Sequence, residues 1–292
     1  MRFGSTYLAV DWGTTNRRVF LLENGAVVRT ERDDRGVTAV APGAFPAEAA
    51  GIRERFGDLP MLMAGMVGST IGWQVSPYVP APTGVEAIAG NLLWIDERSA
   101  IVPGISTVEG GRADVMRGEE VQLLGAVAAG MTPADALLCH PGTHCKWVTM
   151  AGGRVARFTT AMTGELFALL RQHSVLAPQL AAAVTPGAAF LAGVEEGRRR
   201  DLPASLFGIR AAKMLGLRDD ADSASFASGL VIGSDVAVRV ADAPGGTVHV
   251  LADPMLAGLY GAAIEAHGLG ASIIDGQAAF VAGIIDIERH LA

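Results

Sequence analysis

At 292 residues the chain is long enough for two domains or one large one. Half of it is hydrophobic and only 18% is charged, and its 37 glycines and 14 prolines are ordinary for a turn-rich globular protein, which excludes disorder and a collagen-like repeat. With 23 basic against 30 acidic residues, the formal net charge of −7 offers no footprint for nucleic acid or an anionic membrane, so any anionic ligand must be held by local donors.

The opening residues run directly into a strand pattern, without the basic and apolar regions of a signal peptide, so the mature chain is expected to begin near Met1. YLAVDWG reads as a short strand. After a Gly-Thr-Thr-Asn break, RRVFLLENGAVVRTERD reads as two strands joined at Asn24-Gly25, a hairpin signal. A helix is expected over 46–56. The apolar run MLMAGMVGS then leads into a Gly- and Pro-rich region, 65–84, which reads as a long functional loop. NLLWIDE and IVPGIST read as strands or strand edges, and 118–129 as a helix with two acids in its first turn.

From Ala136 the pattern restarts: ALLCHPGTHCKWVTMAGGRVARFTTAM gives strand, Gly turn, strand, Gly-Gly turn, strand. Helices are expected over 164–176, 188–200, 223–240 and 254–267, with VHVLAD as a strand. Hairpins followed by helices, twice, predict two related α/β domains packed around a cleft. No apolar run reaches the roughly 18 residues of a membrane span. Two cysteines, Cys139 and Cys145, make no secreted-type disulfide framework and point to a reducing cytoplasm.

The segment Asp11 to Arg18, Asp-Trp-Gly-Thr-Thr-Asn-Arg-Arg, sits between two strands. A glycine followed by hydroxyl and amide side chains can aim several N–H and O–H donors at one phosphate, with Asp11 holding Mg²⁺ through water. The same residues can equally satisfy only their own backbone. Pro141-Gly142-Thr143-His144 repeats the arrangement in the second half. The neighbouring Cys139, His140, His144 and Cys145 invite a zinc or Cys-His nucleophile reading. Their offsets along alternating strands do not converge readily on one ion, so the thiols are expected to be small buried fillers.

D-x-G-T-T-N-x-R at the first hairpin resembles the phosphate loop of the sugar kinase, Hsp70 and actin superfamily. GMVGSTIGWQVSPY (65–78), VMRGEEVQLLGA (115–126), PGTHCKWV (141–148), MTGELFALL (162–170) and SGLVIGSDV (228–236) together resemble the 2-dehydro-3-deoxygalactonokinase family, from about residue 7 to about 285. The resemblance implies two ribonuclease H-like, actin-like ATPase domains, each a mixed sheet with helices. Residues 1–125 would bind sugar and phosphate and 126–271 nucleotide, and a helix over 272–292 would pack back on the first domain.

The resemblance further implies ATP-dependent phosphorylation of the 6-hydroxyl of 2-dehydro-3-deoxy-D-galactonate, with Mg²⁺. Asp11, as metal holder, and Gly13, Thr14, Thr15, Asn16, Arg18, Gly142, Thr143 and His144 would hold phosphate. Gly229 and Gly233 would approach the base, their i, i+4 spacing being equally that of helix-packing glycines. LADPMLAGLY (251–260) resembles the adenosine region, with Asp253-Pro254 in place of glycine. Glu119 or Glu120 would act as the base near the attacking hydroxyl; adjacent helix positions point about 100° apart, so either can face the substrate. Gly68, Ser69, Trp73, Gln74, Tyr78 and Arg117 are the substrate-side candidates, the aromatic pair being equally a packed plug under the loop. The partner implied is a small sugar acid, with no nucleic acid or membrane expected; a homo-oligomer is left open.

Overall fold

The computed structural model describes residues 3–240 and 246–291. The expected start at Met1 and the last residue of the expected C-terminal helix, Ala292, lie outside them. The chain divides into two compact units: Met1–Ala134, Met150–Arg157 and Gly276–Ala292 form one, Asp135–Thr149 and Phe158–Asp275 the other.

In the first unit, β1 (Thr6–Trp12) is apolar on both faces and is buried on both. It pairs antiparallel with β2 (Arg17–Glu23), and β2 with β3 (Ala26–Asp33), the turn at Asn24-Gly25 taking positive φ at both residues. On its other side β1 pairs parallel with β4 (Met61–Ala64), reached through α1 (Phe45–Phe56). Phe45, Ala49, Ile52 and Phe56 recur at helical spacing and bury one face of α1 against Leu8, Val10, Trp12 and Met63.

After β5 (Tyr78–Pro80) and α2 (Val85–Gly90), β6 (Leu93–Asp96) and β7 (Ser99–Ile101) complete a six-stranded sheet, ordered β3-β2-β1-β4-β7-β6. IVPGIST is not one strand: β7 ends at Ile101, and β8 (Gly104–Glu109) joins β5 and β9 (Arg112–Met116) in a separate three-stranded sheet. The Pro103 between them has no N–H to continue a ladder. α3 (Glu119–Ala128) follows.

The second unit repeats the order. β10 (Ala136–His140), β11 (Cys145–Ala151) and β12 (Arg154–Ala161) lead, and two parallel strands, β13 (Thr247–Leu251) and β14 (Gly270–Ile274), extend the sheet to β12-β11-β10-β13-β14. Between β12 and β13 lie α4 (Thr163–His173), α5 (Ala188–Gly197), α6 (Leu202–Met214) and α7 (Asp220–Arg239), and α8 (Pro254–Ala266) separates β13 from β14. The core gathers Leu137, Trp147, Phe190, Val194, Ile232, Val250, Tyr260 and Ile264.

The hairpin tip 150–157 belongs to the first unit, where Thr83 and Val155 exchange backbone hydrogen bonds of 3.0 and 2.9 Å. The last helix, α9 (Gly276–Arg289), is shorter than the sequence predicts because 270–274 is strand; it packs on α3 within the first unit and sets Phe280 against Phe20. Among the described residues, no helix is long and apolar enough to cross a membrane.

Candidate active site

Trp12 ends β1 inside the core, with its indole N–H donating to Arg35 O at 2.9 Å, and the chain turns at once into Gly13–Asn16. The carbonyls of this turn are all engaged: Gly13 accepts from Val37 N–H, Thr14 from both the amide and hydroxyl of Thr38, Thr15 from Gly36 and Asn16 from Gly13. The bonds to Gly13, Thr14 and Thr15 turn those three carbonyls toward the segment after β3, while the side chains of Thr14, Thr15 and Asn16 are exposed. A Cβ at Gly36 would collide with the Thr14 carbonyl, so the seat of the turn requires a glycine there. That requirement escaped the sequence reading, because Gly36 contacts the turn only in the fold.

Asp11 and Arg18 are register partners on β1 and β2, and their side chains form an ion pair of 3.1 Å. Burial raises the Asp11 carboxyl above the ordinary aspartate value; Arg18 opposes the shift and the charge of Glu119 adds to it. The field of Glu119 is felt because three backbones meet. Gly65, at φ +98°, lies so close to the end of β1 that a Cβ would stand 2.8 Å from Trp12 O. Gly118, at φ +106°, would in turn place a Cβ 3.1 Å from Gly65 Cα. Left-handed, side-chain-free positions allow both approaches, and they bring the start of α3 beside the end of β1.

The two adjacent glutamates are thereby separated. Glu119 is half-buried, one carboxylate oxygen accepting from the Arg117 amide at 3.0 Å. Glu120 is fully buried and folds back to accept from the Gly118 amide at 2.7 Å, its other oxygen finding no partner among the described residues. Burial first, then the charge of Glu119, pushes Glu120 up to about 8. Glu119 is the carboxylate with access to solvent.

The substrate-side candidates divide as well. The Arg117 guanidinium is buried, donates to Ser76 Oγ and, at 2.9 Å, to Ser76 O, and lies 4.3 Å from the Tyr78 ring centroid. Its geometry is that of a strut under the 65–78 loop. Gly68 is buried against Ser76 and Ile101, and Trp73, half-buried, stacks on Phe45 at 6.4 Å against the core. The Ser69 hydroxyl donates to Met66 O at 2.7 Å. Gln74 is exposed on the loop, and so is Tyr78 at the start of β5.

In the second unit, Pro141–His144 links β10 to β11 and is seated on the first turn of α4. The Glu165 amide donates to Thr143 O at 2.9 Å, and a Cβ on Gly164 would collide with Gly142 O. Behind the turn, the buried Asp235 of α7 accepts from Trp147 Nε1 at 2.9 Å and Thr163 Oγ1 at 3.1 Å, tying β11 to the start of α4. Burial raises its carboxyl despite these donors. Asp235 was missed by sequence reasoning, although SGLVIGSDV contains it; only the fold shows what it holds.

Cys139 and Cys145 are buried thiols with their sulfurs 3.6 Å apart, and burial pushes Cys139 far up. Among the described residues no group of His, Cys, Asp or Glu is arranged to hold a metal by itself. A Mg²⁺ that keeps most of its waters does not need such a group, and the crowding of two carboxylates, Asp11 and Glu119, suits one. Gly229 and Gly233 lie where α7 crosses α5: a Cβ on Gly229 would collide with Phe190 O and one on Gly233 would approach Val194 Cα to 2.6 Å. Their open faces are covered by a helix. Asp253 caps α8, accepting from the amides of Met255 and Leu256.

These features make the chain a mixed-sheet α/β protein with a donor-rich turn after the first strand of each unit. The same fold occurs in the activator of 2-hydroxyisocaproyl-CoA dehydratase from Clostridium difficile, solved with bound ADPNP (TM-score 0.50, 9% identity, 98% of this chain and 95% of that one). The family model of 2-keto-3-deoxy-galactonokinase matches residues 11–287, and the chain belongs to that family. It is 37% identical to the 2-dehydro-3-deoxygalactonokinase of Escherichia coli K12 over 98% of both chains. A crystal structure from Sinorhizobium meliloti carrying the same enzyme name superposes with a TM-score of 0.90 at 35% identity, covering 97% of this chain and 98% of that one.

Proposed function

We propose that this protein is an ATP-dependent kinase that transfers a phosphoryl group to the 6-hydroxyl of 2-dehydro-3-deoxy-D-galactonate, giving ADP and 2-dehydro-3-deoxy-6-phosphogalactonate in galactonate breakdown. The repeated sheet order supports two ribonuclease H-like units of the actin-like ATPase type. The observation that carries the chemistry is the accessible carboxylate of Glu119, held by the Arg117 amide beside Asp11 in a chain of this family.

In this reading Glu119 orients the acceptor hydroxyl and takes its proton as the oxygen attacks phosphorus. Gly13–Asn16 and Gly142–His144 each offer donors to phosphate oxygens, with Arg18 keeping Asp11 oriented. Asp11 would hold Mg²⁺ through water, and that ion would offset charge on the transferred group. Exposed Gln74 and Tyr78 would meet the sugar acid, while Gly68, Trp73 and Arg117 shape the loop that leads to them. Gly229 and Gly233 serve helix packing in this reading, supported by the tight approach of α5 to both.

The test is ADP release from Mg·ATP with a panel of 2-dehydro-3-deoxy sugar acids differing at C4, alongside gluconate, glucose and glycerol. Strong preference for the galactonate epimer is expected. Activity on another member moves the substrate and keeps the kinase, whereas slow hydrolysis indifferent to every acceptor would defeat the reading in favour of a nucleotide switch.

A further inference from the structure

The second turn is fastened differently from the first. Three carbonyls of Gly13–Asn16 are bonded to the segment after β3, whereas Pro141–His144 meets α4 at three points, all contributed by two successive residues. Gly164 lets the helix close on the Gly142 carbonyl, the Glu165 amide bonds Thr143 O at 2.9 Å, and the Glu165 carboxylate accepts from His144 Nε2 at 2.6 Å. The last contact is a short, charge-assisted geometry. It joins side chains that are both well exposed, 46% for His144 and 38% for Glu165, so the core does not impose it.

A carboxylate accepting from Nε2 fixes both the tilt of the imidazole and the nitrogen that carries the hydrogen in the neutral ring. Glu165 thus acts on the turn twice, through backbone and side chain. Resting on the kinase reading, we propose that Glu165 is a positioning residue for phosphoryl transfer: through His144 and Thr143 it holds the second turn in the shape that receives the nucleotide's phosphates. Because it acts through the turn, its effect must appear in nucleotide affinity and must pass through His144.

Two measurements test this: calorimetric titration with Mg·ADP, and ADP-release kinetics with ATP and the sugar acid varied separately. Glu165→Ala is expected to weaken Mg·ADP binding and raise KM for ATP roughly tenfold, leaving KM for the sugar acid unchanged. The thermal midpoint should hold, because an exposed pair contributes little to stability. Glu165→Gln keeps an oxygen that accepts from Nε2 and should recover most of the loss. In a His144→Ala background, Glu165→Ala should add little, since contacts in series are non-additive. Unchanged KM for ATP, equal losses in the Gln and Ala variants, or full additivity with His144→Ala would each overturn the proposal. Absence of Mg·ADP binding by the unaltered protein would overturn the kinase reading itself, and this inference with it.

Discussion

Glu119 and Glu120 are chemically identical and adjacent, yet the fold makes one an accessible carboxylate and the other a buried acid. Their helical offset of about 100° guaranteed that they would face different surroundings, but the sequence had no means of saying which faced where. Burial decided it, through the backbone contact of Gly118 with Gly65. Glu119→Gln is therefore expected to lower kcat by roughly 10²- to 10⁴-fold, the usual contribution of a positioned base. Glu120→Gln should be far milder in turnover and act on stability instead. Glu120 titrates near 8 in the fold, against an ordinary value of 4.5. Between those limits the folded chain keeps a proton that the unfolded chain releases, so this residue's contribution makes stability fall as pH rises from about 4.5 to about 8. Thermal midpoints measured across that range should slope less in Glu120→Gln than in the unaltered protein; parallel curves would refute the assignment.

At the scale of elements, hairpins and most helices were legible because period and turn chemistry are local. Asn24-Gly25 marked its turn, and the Phe45, Ala49, Ile52, Phe56 spacing marked α1. α6 and β14 were not read, since neither shows clean periodicity: α6 buries only Ile209 and β14 only Ile274. The glycines of SGLVIGSDV show the limit of motif reading. Their spacing served a base-binding and a packing interpretation equally, and the fold presses them against α5. Gly229→Ala should consequently destabilise by about 1–3 kcal/mol, the range for overpacking a tight contact, with KM for ATP little changed in protein that remains folded. An unaltered thermal midpoint with raised KM would return Gly229 to the nucleotide.

At the scale of the molecule, the first unit is assembled from three separate stretches of chain, the last being α9. Phe280, Ile284 and Ile287 of that helix are buried, and at about 1.5–3 kcal/mol per large apolar side chain they contribute roughly 5–9 kcal/mol. That is comparable with the whole stability of an ordinary domain. Removing residues 276–292 should therefore abolish cooperative unfolding of the first unit and all kinase activity; a truncated chain with a normal thermal midpoint would contradict this.

The sequence alone determined the α/β class, the restarting hairpin pattern, the two donor-rich turns and the motif series shared with the sugar-acid kinases, because each is written in neighbouring residues. Tertiary structure decided which glutamate is accessible, that Arg117 braces a loop, that Asp235 ties β11 to the start of α4 while Glu165 meets the second turn, and that residues 150–157 join the first unit. Those outcomes depend on burial and on contacts between residues far apart in the chain, which no local pattern encodes.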